Sequence, residues 1–213
     1  MPAGSTRVPP DMGPPAVQRV RQANPMGYSL SWLAFLFTIG SPVAARSHGP
    51  LRSEPIDMVV IHSTGGPTCD AGTGKPIWVK GGTLEEDLRT IEQHPTLGIH
   101  YMIDRDGTVR SSVPEDQVAY HVYTYSGRSI AIELVNDGDG VDPFPAAQID
   151  AAISLLRGIV ARRGLARGGI KRHSDLDHGR LACDRTQRRK VDPGGAFPFD
   201  AVLDAVFPPA TTP

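Results

Sequence analysis

The sequence predicts a single α/β domain in which a central mixed β-sheet is flanked by helices, and three observations lead there. Strand-length apolar runs, Ile56 to His62, Ile99 to Ile103 and Ser129 to Val135, alternate with segments of helical period, Leu84 to His94 and Ala146 to Arg163. An Asp106-Gly107 pair between two short apolar runs marks an antiparallel hairpin within this pattern. At 213 residues with 39% hydrophobic content, the chain can bury one sizeable core but hardly two.

The elements follow in order. Arg19 and Arg21 precede an apolar segment from Leu30 to Gly40, and Pro42-Val43-Ala44-Ala45 offers small residues for cleavage. Residues 1–45 therefore read as an export leader cut after Ala45, with Met12 and Met26 as alternative starts. The apolar run is short for a membrane span, so membrane contact is expected only through an uncleaved leader. Residues 46–55, with Ser, Gly and two Pro, read as a linker, residues 56–208 as the catalytic domain and 209–213 as a disordered tail. The net charge of -1 gives no electrostatic basis for binding nucleic acid.

A first strand runs from Ile56 to His62 and a Gly-rich loop from Ser63 to Gly82. Thr83-Leu84-Glu85-Glu86 is a capping box, and Leu84, Leu88 and Ile91 share one face of the helix it opens. The hairpin Ile99 to Val113 follows, then a short strand at Val118 to Val122 and the central strand Ser129 to Val135. Ile149, Ile153, Leu156 and Val160 give the long helix its apolar stripe, and Gly164 is placed to cap it. A short apolar element near Ile170 delivers His173, and Asp200 caps a last helix reaching Phe207.

Three residues form a candidate zinc ligand set: His62 at the end of the first strand, His173, and Asp192 in the turn Lys190-Val191-Asp192-Pro193-Gly194. A catalytic zinc commonly takes three such ligands and keeps one position for water, whose pKa it lowers towards roughly 7. Pro193 keeps Asp192 extended, so Lys190 and Asp192 face the same side, where the lysine can stabilise an oxyanion. Glu133 is a lone carboxylate in an apolar strand, a costly placement unless it has a task, and it is assigned as general base. His121 is expected to line the cleft and contact substrate, or else to be an ordinary structural histidine. Glu133 as an ion-pair partner of Arg128, and Lys190 as part of a solvated basic run with Arg188 and Arg189, are the plainer readings. Cys69 and Cys183 suit one disulfide in an exported protein, or two free thiols.

The motifs Val60-Ile61-His62-Ser63-Thr64, His100 to Val109, Val118-Ala119-Tyr120-His121, Ser129 to Asn136, His173-Ser174-Asp175 and Lys190 to Gly194 occur together and in order. On these, the chain from Ile56 to Phe199 resembles the zinc N-acetylmuramoyl-L-alanine amidases of the amidase-2 family, which are similar to peptidoglycan recognition proteins. The resemblance implies that fold and hydrolysis of the amide between N-acetylmuramic acid and L-alanine on peptidoglycan or muropeptides. It also implies one zinc ion on His62, His173 and Asp192, with Glu133 and Lys190 in the roles given above.

The chain departs from the family in two places. Residues Leu181 to Arg189 stand between the second histidine and the Lys-x-Asp-Pro-Gly turn, and some relatives use Cys as third ligand, so Cys183 competes with Asp192. Ile99 occupies the place of a tyrosine found in phage enzymes, which puts the base role on Glu133. A non-catalytic peptidoglycan-binding module of the same fold and a zinc peptidase acting within the stem peptide are the alternative functions.

Overall fold

The computed structural model describes residues 49–209. The expected leader, its cleavage point after Ala45, the first three linker residues and residues 210–213 of the tail lie outside the described residues. The strands are β1 (Met58–Ser63), β2 (Gly66–Cys69), β3 (Pro76–Val79), β4 (Tyr101–Ile103), β5 (Val109–Ser111), β6 (Ser129–Leu134) and β7 (Ile170–Arg172). The helices are α1 (Leu84–Gln93), α2 (Ala146–Arg163), α3 (His173–Leu176) and α4 (Phe199–Val206). No described helix is long and apolar enough to cross a membrane.

Five strands form the main sheet in the order β5-β4-β6-β1-β7, with β4, β6, β1 and β7 parallel and β5 antiparallel. This is the mixed sheet that the sequence predicts. Every residue of β1 and β6 is buried, because helices or loops cover both faces. On one face Val59, Ile61, Ile130, Ile132 and Leu134 pack against Leu156 and Ile159 of α2 and Val202, Leu203 and Val206 of α4. On the other, Ala131 and Val135 meet Leu84 of α1, Ile99 and Met102. Removing one such buried side chain, as in Leu156→Ala, costs about 2–5 kcal/mol in cores of this kind.

The capping box forms as expected, with the Thr83 hydroxyl accepting from the Glu86 N–H and the Glu86 carboxylate accepting from the Thr83 N–H. In α2 the buried stripe is Gln148, Ala152, Leu156 and Ile159, while Ile149, Ile153 and Val160 flank it. The rotation from the expected stripe has a polar cause. The Gln148 amide donates to the Ile103 and Val135 carbonyls at the ends of β4 and β6, at 3.0 and 3.1 Å. Gly164 ends α2 in the left-handed conformation, at φ 66°. The cap of the last helix lies two residues earlier than expected, at Pro198, so Asp200 lies in the first turn and faces the helix dipole there.

Two other expectations give way. The loop Ser63 to Gly82 contains the β2–β3 hairpin, closed by Asp70, whose carboxylate accepts from the Thr73 N–H at 2.7 Å. Val118 to Val122 is no strand; its partner is the chain at Gly49 and Pro50, through Gly49 N–H to Val118 O and Val118 N–H to Pro50 O. Residues 49–52, read from the sequence as linker, are therefore bonded to the domain. Arg52 anchors them by donating to the carbonyls of Glu115, Ser126, Gly127 and Ser129.

Candidate active site

Strand register begins the site. In the parallel β1–β6 pair, His62 lies opposite Glu133, and β7 next to β1 ends where His173 opens α3. All three residues stand at the carboxyl ends of parallel strands, the end at which open α/β sheets hold ligands. Asp192 arrives from the turn after Lys190, which the Ser174 N–H ties to α3 by donating to the Asp192 carbonyl at 3.1 Å. The Asp192–Pro193 peptide is cis. Gly194, at φ 87°, passes so close to the loop at Gly138 that a Cβ would sit 2.8 Å from the Gly138 carbonyl.

The three expected ligands meet. Oδ2 of Asp192 lies 3.1 Å from Nδ1 of His62 and 3.0 Å from Nδ1 of His173, and one donor atom from each residue falls within 4.8 Å of the others. All three side chains are buried, with 3–5% of each residue exposed. Burial holds the His62 ring down at about 4, more than the Asp192 carboxylate raises it. Burial pushes the Asp192 carboxyl up, but the rings of His173 and His62 hold it far below the usual carboxylate range. At neutral pH the set therefore includes a neutral His62 imidazole and one carboxylate, donors that a divalent cation accepts.

Burial and the nearby Asp192 charge push Glu133 up to about 8, while Lys190 opposes them. Arg128, its alternative partner, bonds Asp57 instead. Lys190 is exposed and lines the same cleft as the ligands. The neighbouring arginines are not a free basic run, since Arg189 pairs with Asp177 at 2.9 Å and Arg188 donates to the Ser174 and Asp177 carbonyls.

His121 lines the cleft as expected and is also bonded within the protein. Its Nδ1 lies 2.9 Å from Nε2 of His62 and its Nε2 lies 3.0 Å from Oγ of Ser129, so both ring nitrogens have protein partners. Sequence reasoning missed Ser129, although it shares the period-2 face of Ala131 and Glu133. It also missed Asp177, whose carboxylate is 4.0 Å from Nε2 of His173.

The ligands and Glu133 line a cleft of about 800 Å³, walled by β2, α1 and residues 180–182. Cys69 at the end of β2 and Cys183 are joined by a disulfide at this rim, with Cα atoms 5.9 Å apart, so Cys183 does not compete with Asp192. The link spans a sequence separation of 114, and replacing both cysteines by serine is expected to lower unfolding stability by about 3–5 kcal/mol. Denaturant melts of the two forms check this, and equal midpoints would show that the link constrains nothing that matters in the unfolded chain.

Residues 52–195 match the family model Amidase_2, N-acetylmuramoyl-L-alanine amidase. The 1,6-anhydro-N-acetylmuramyl-L-alanine amidase AmpD of Enterobacter cloacae is 29% identical over 160 residues, covering 68% of this chain and 78% of that protein. The N-acetylmuramoyl-L-alanine amidase AmiD of Escherichia coli K12 is 34% identical over 102 residues, 41% of this chain and 34% of its own. The solved complex of AmiD from E. coli with the substrate anhydro-N-acetylmuramic acid-L-Ala-D-gamma-Glu-L-Lys shares the fold. Its TM-score is 0.54 at 23% identity, covering 73% of this chain and 60% of that one. With the family model spanning well over half of the sequence, this chain belongs to the Amidase_2 family of N-acetylmuramoyl-L-alanine amidases.

Proposed function

We propose that the chain hydrolyses the amide joining the lactyl group of N-acetylmuramic acid to the L-alanine of a peptidoglycan stem peptide, with one zinc ion held by His62, His173 and Asp192. The observation that carries the reading is the convergence of these three buried donors on the floor of an open cleft, beside a buried carboxylate. The donor set fits the ion: imidazole nitrogen with a single carboxylate oxygen is a common catalytic zinc environment. Zinc bound there supplies Lewis-acid polarisation and acidifies water to a pKa near 7.

The remaining chemistry belongs to the chain. In its ionised form, which a cation at the ligand set would favour over the form that burial favours, Glu133 takes a proton from the attacking water and returns it to the departing amine nitrogen. Lys190, which lines the cleft, offsets the negative charge that grows on the carbonyl oxygen. Burial of the donors excludes bulk water from them, which strengthens each of these interactions. The substrate is peptidoglycan or a muropeptide fragment. The leader-like residues 1–45 and the Cys69–Cys183 bond support action outside the cytoplasm, in an oxidising envelope compartment.

Mass spectrometry of products from a defined muropeptide, with metal analysis of the same sample, tests the reading. The expected products are a sugar with a free lactyl carboxylate and a peptide with a free L-alanine amine, made by protein carrying zinc. Cleavage within the stem peptide would make it a peptidase, and binding without cleavage would make it a recognition module.

A further inference from the structure

Three hydrogen bonds continue outward from the ligand set and end at a group whose role is fixed by chemistry. Nε2 of His62 meets Nδ1 of His121 at 2.9 Å, Nε2 of His121 meets Oγ of Ser129 at 3.0 Å, and that oxygen lies 2.7 Å from the Tyr125 carbonyl. A carbonyl oxygen can only accept. Two oxygens at 2.7 Å need a hydrogen between them, so the single Ser129 hydroxyl hydrogen points at Tyr125.

The other roles follow with each ring neutral. Ser129 turns lone pairs to His121, which places the His121 proton on Nε2 and leaves Nδ1 as an acceptor. That acceptor requires the His62 proton on Nε2, so Nδ1 of His62 keeps its lone pair. Nδ1 is the atom 3.1 Å from Oδ2 of Asp192. Its contact with the carboxylate then joins two electron-pair donors, a juxtaposition that a shared cation reconciles.

We propose that His121 is a positioning residue, which with Ser129 and the Tyr125 carbonyl forms a one-way hydrogen-bond relay that fixes the proton of His62 on Nε2 and keeps Nδ1 free for the metal. The relay is held rigidly. Ser126 Oγ accepts the backbone N–H of both His121 and Val122, at 3.1 and 3.0 Å, and Ser129 is fully buried at the start of β6, where its carbonyl accepts from Arg52. The inference rests on the zinc reading above.

The experiment measures zinc affinity by chelator competition in the full chain, and reads imidazole protonation by long-range nitrogen-proton spectra at about pH 8, where unperturbed histidines are neutral. His121→Leu removes the acceptor, and a zinc dissociation constant about 10–100-fold weaker is expected, the scale for losing an outer partner of a metal ligand. His121→Asn, whose side-chain oxygen can stand where Nδ1 stood, is expected to stay within about threefold of wild type. Ser129→Ala leaves every ring in place, so it carries the test if the leucine variant does not fold, with a loss of several-fold expected.

Zinc-loaded wild type should show the proton on Nε2 of both His62 and His121. A proton on Nδ1 of His121, or wild-type affinity in both the His121→Leu and Ser129→Ala variants, overturns the relay while the amidase reading stands. Wild-type protein that binds no zinc overturns both.

Discussion

Zinc content and turnover are expected to fall together when Asp192 is replaced by alanine. The carboxylate supplies the negative charge of the three donors, and it is the atom on which the two imidazoles converge at 3.0 and 3.1 Å. Without it, His62 and His173 alone face the ion. Affinity is expected to drop by more than the roughly 10–100-fold seen for outer partners. Loss of the ion removes several kcal/mol of charge stabilisation, so turnover should fall by about a thousandfold or more. Treating wild type with a chelator should reproduce the loss, and added zinc should restore wild type but not the variant at matched concentration. Activity that survives both treatments would remove the metal from the reaction.

Glu133→Gln tests the proposed base apart from the metal. The amide keeps the shape of the side chain but cannot accept the proton, so turnover is expected to fall about 10²–10⁴-fold with zinc content unchanged. Stability should move the other way. A carboxyl raised from 4.5 to about 8 by burial contributes its full stability below pH 4.5 and loses it as pH rises through 8. Metal-free Glu133→Gln should therefore be more stable than metal-free wild type above pH 8, by about 1–3 kcal/mol, with a higher melting temperature there. An enzyme whose active residue weakens its fold in this way follows a familiar trade between stability and activity. Normal turnover in the variant would pass the base role to another group.

Much of this site was legible in the sequence because chemistry and local geometry agree there. His62 ends an apolar strand, Glu133 interrupts another, and Asp192 sits before a proline in a turn of distinctive composition. Each placement is decided within a few residues. The contributions that were not legible depend on long-range register. The contact of Ser129 with His121 was not legible because Ser129 takes its place through the pairing of β6 with β1, opposite Met58, a neighbour far away in sequence. The α2 stripe was misplaced for the same reason, since Gln148 is buried by carbonyls at the ends of two strands far away in sequence. The β2–β3 hairpin hid in a segment rich in Gly, Pro and Thr, where no alternating pattern shows.

The Cys69–Cys183 bond and the ligand set close nearly the same circuit of chain. His62 and Asp192 are separated by 130 positions and the two sulfurs by 114, the second circuit lying inside the first. Once the disulfide is shut, joining His62 to Asp192 restrains only the short stretches 63–68 and 184–191 further, so that part of the ligand set adds little entropic gain, while His173, inside the disulfide circuit, still closes a loop of its own. The free energies of the two clasps should not sum. On the zinc reading, protein stripped of the ion yet oxidised would keep its donors near one another, ready to reload, whereas reduction and demetallation together would release the whole arc at once.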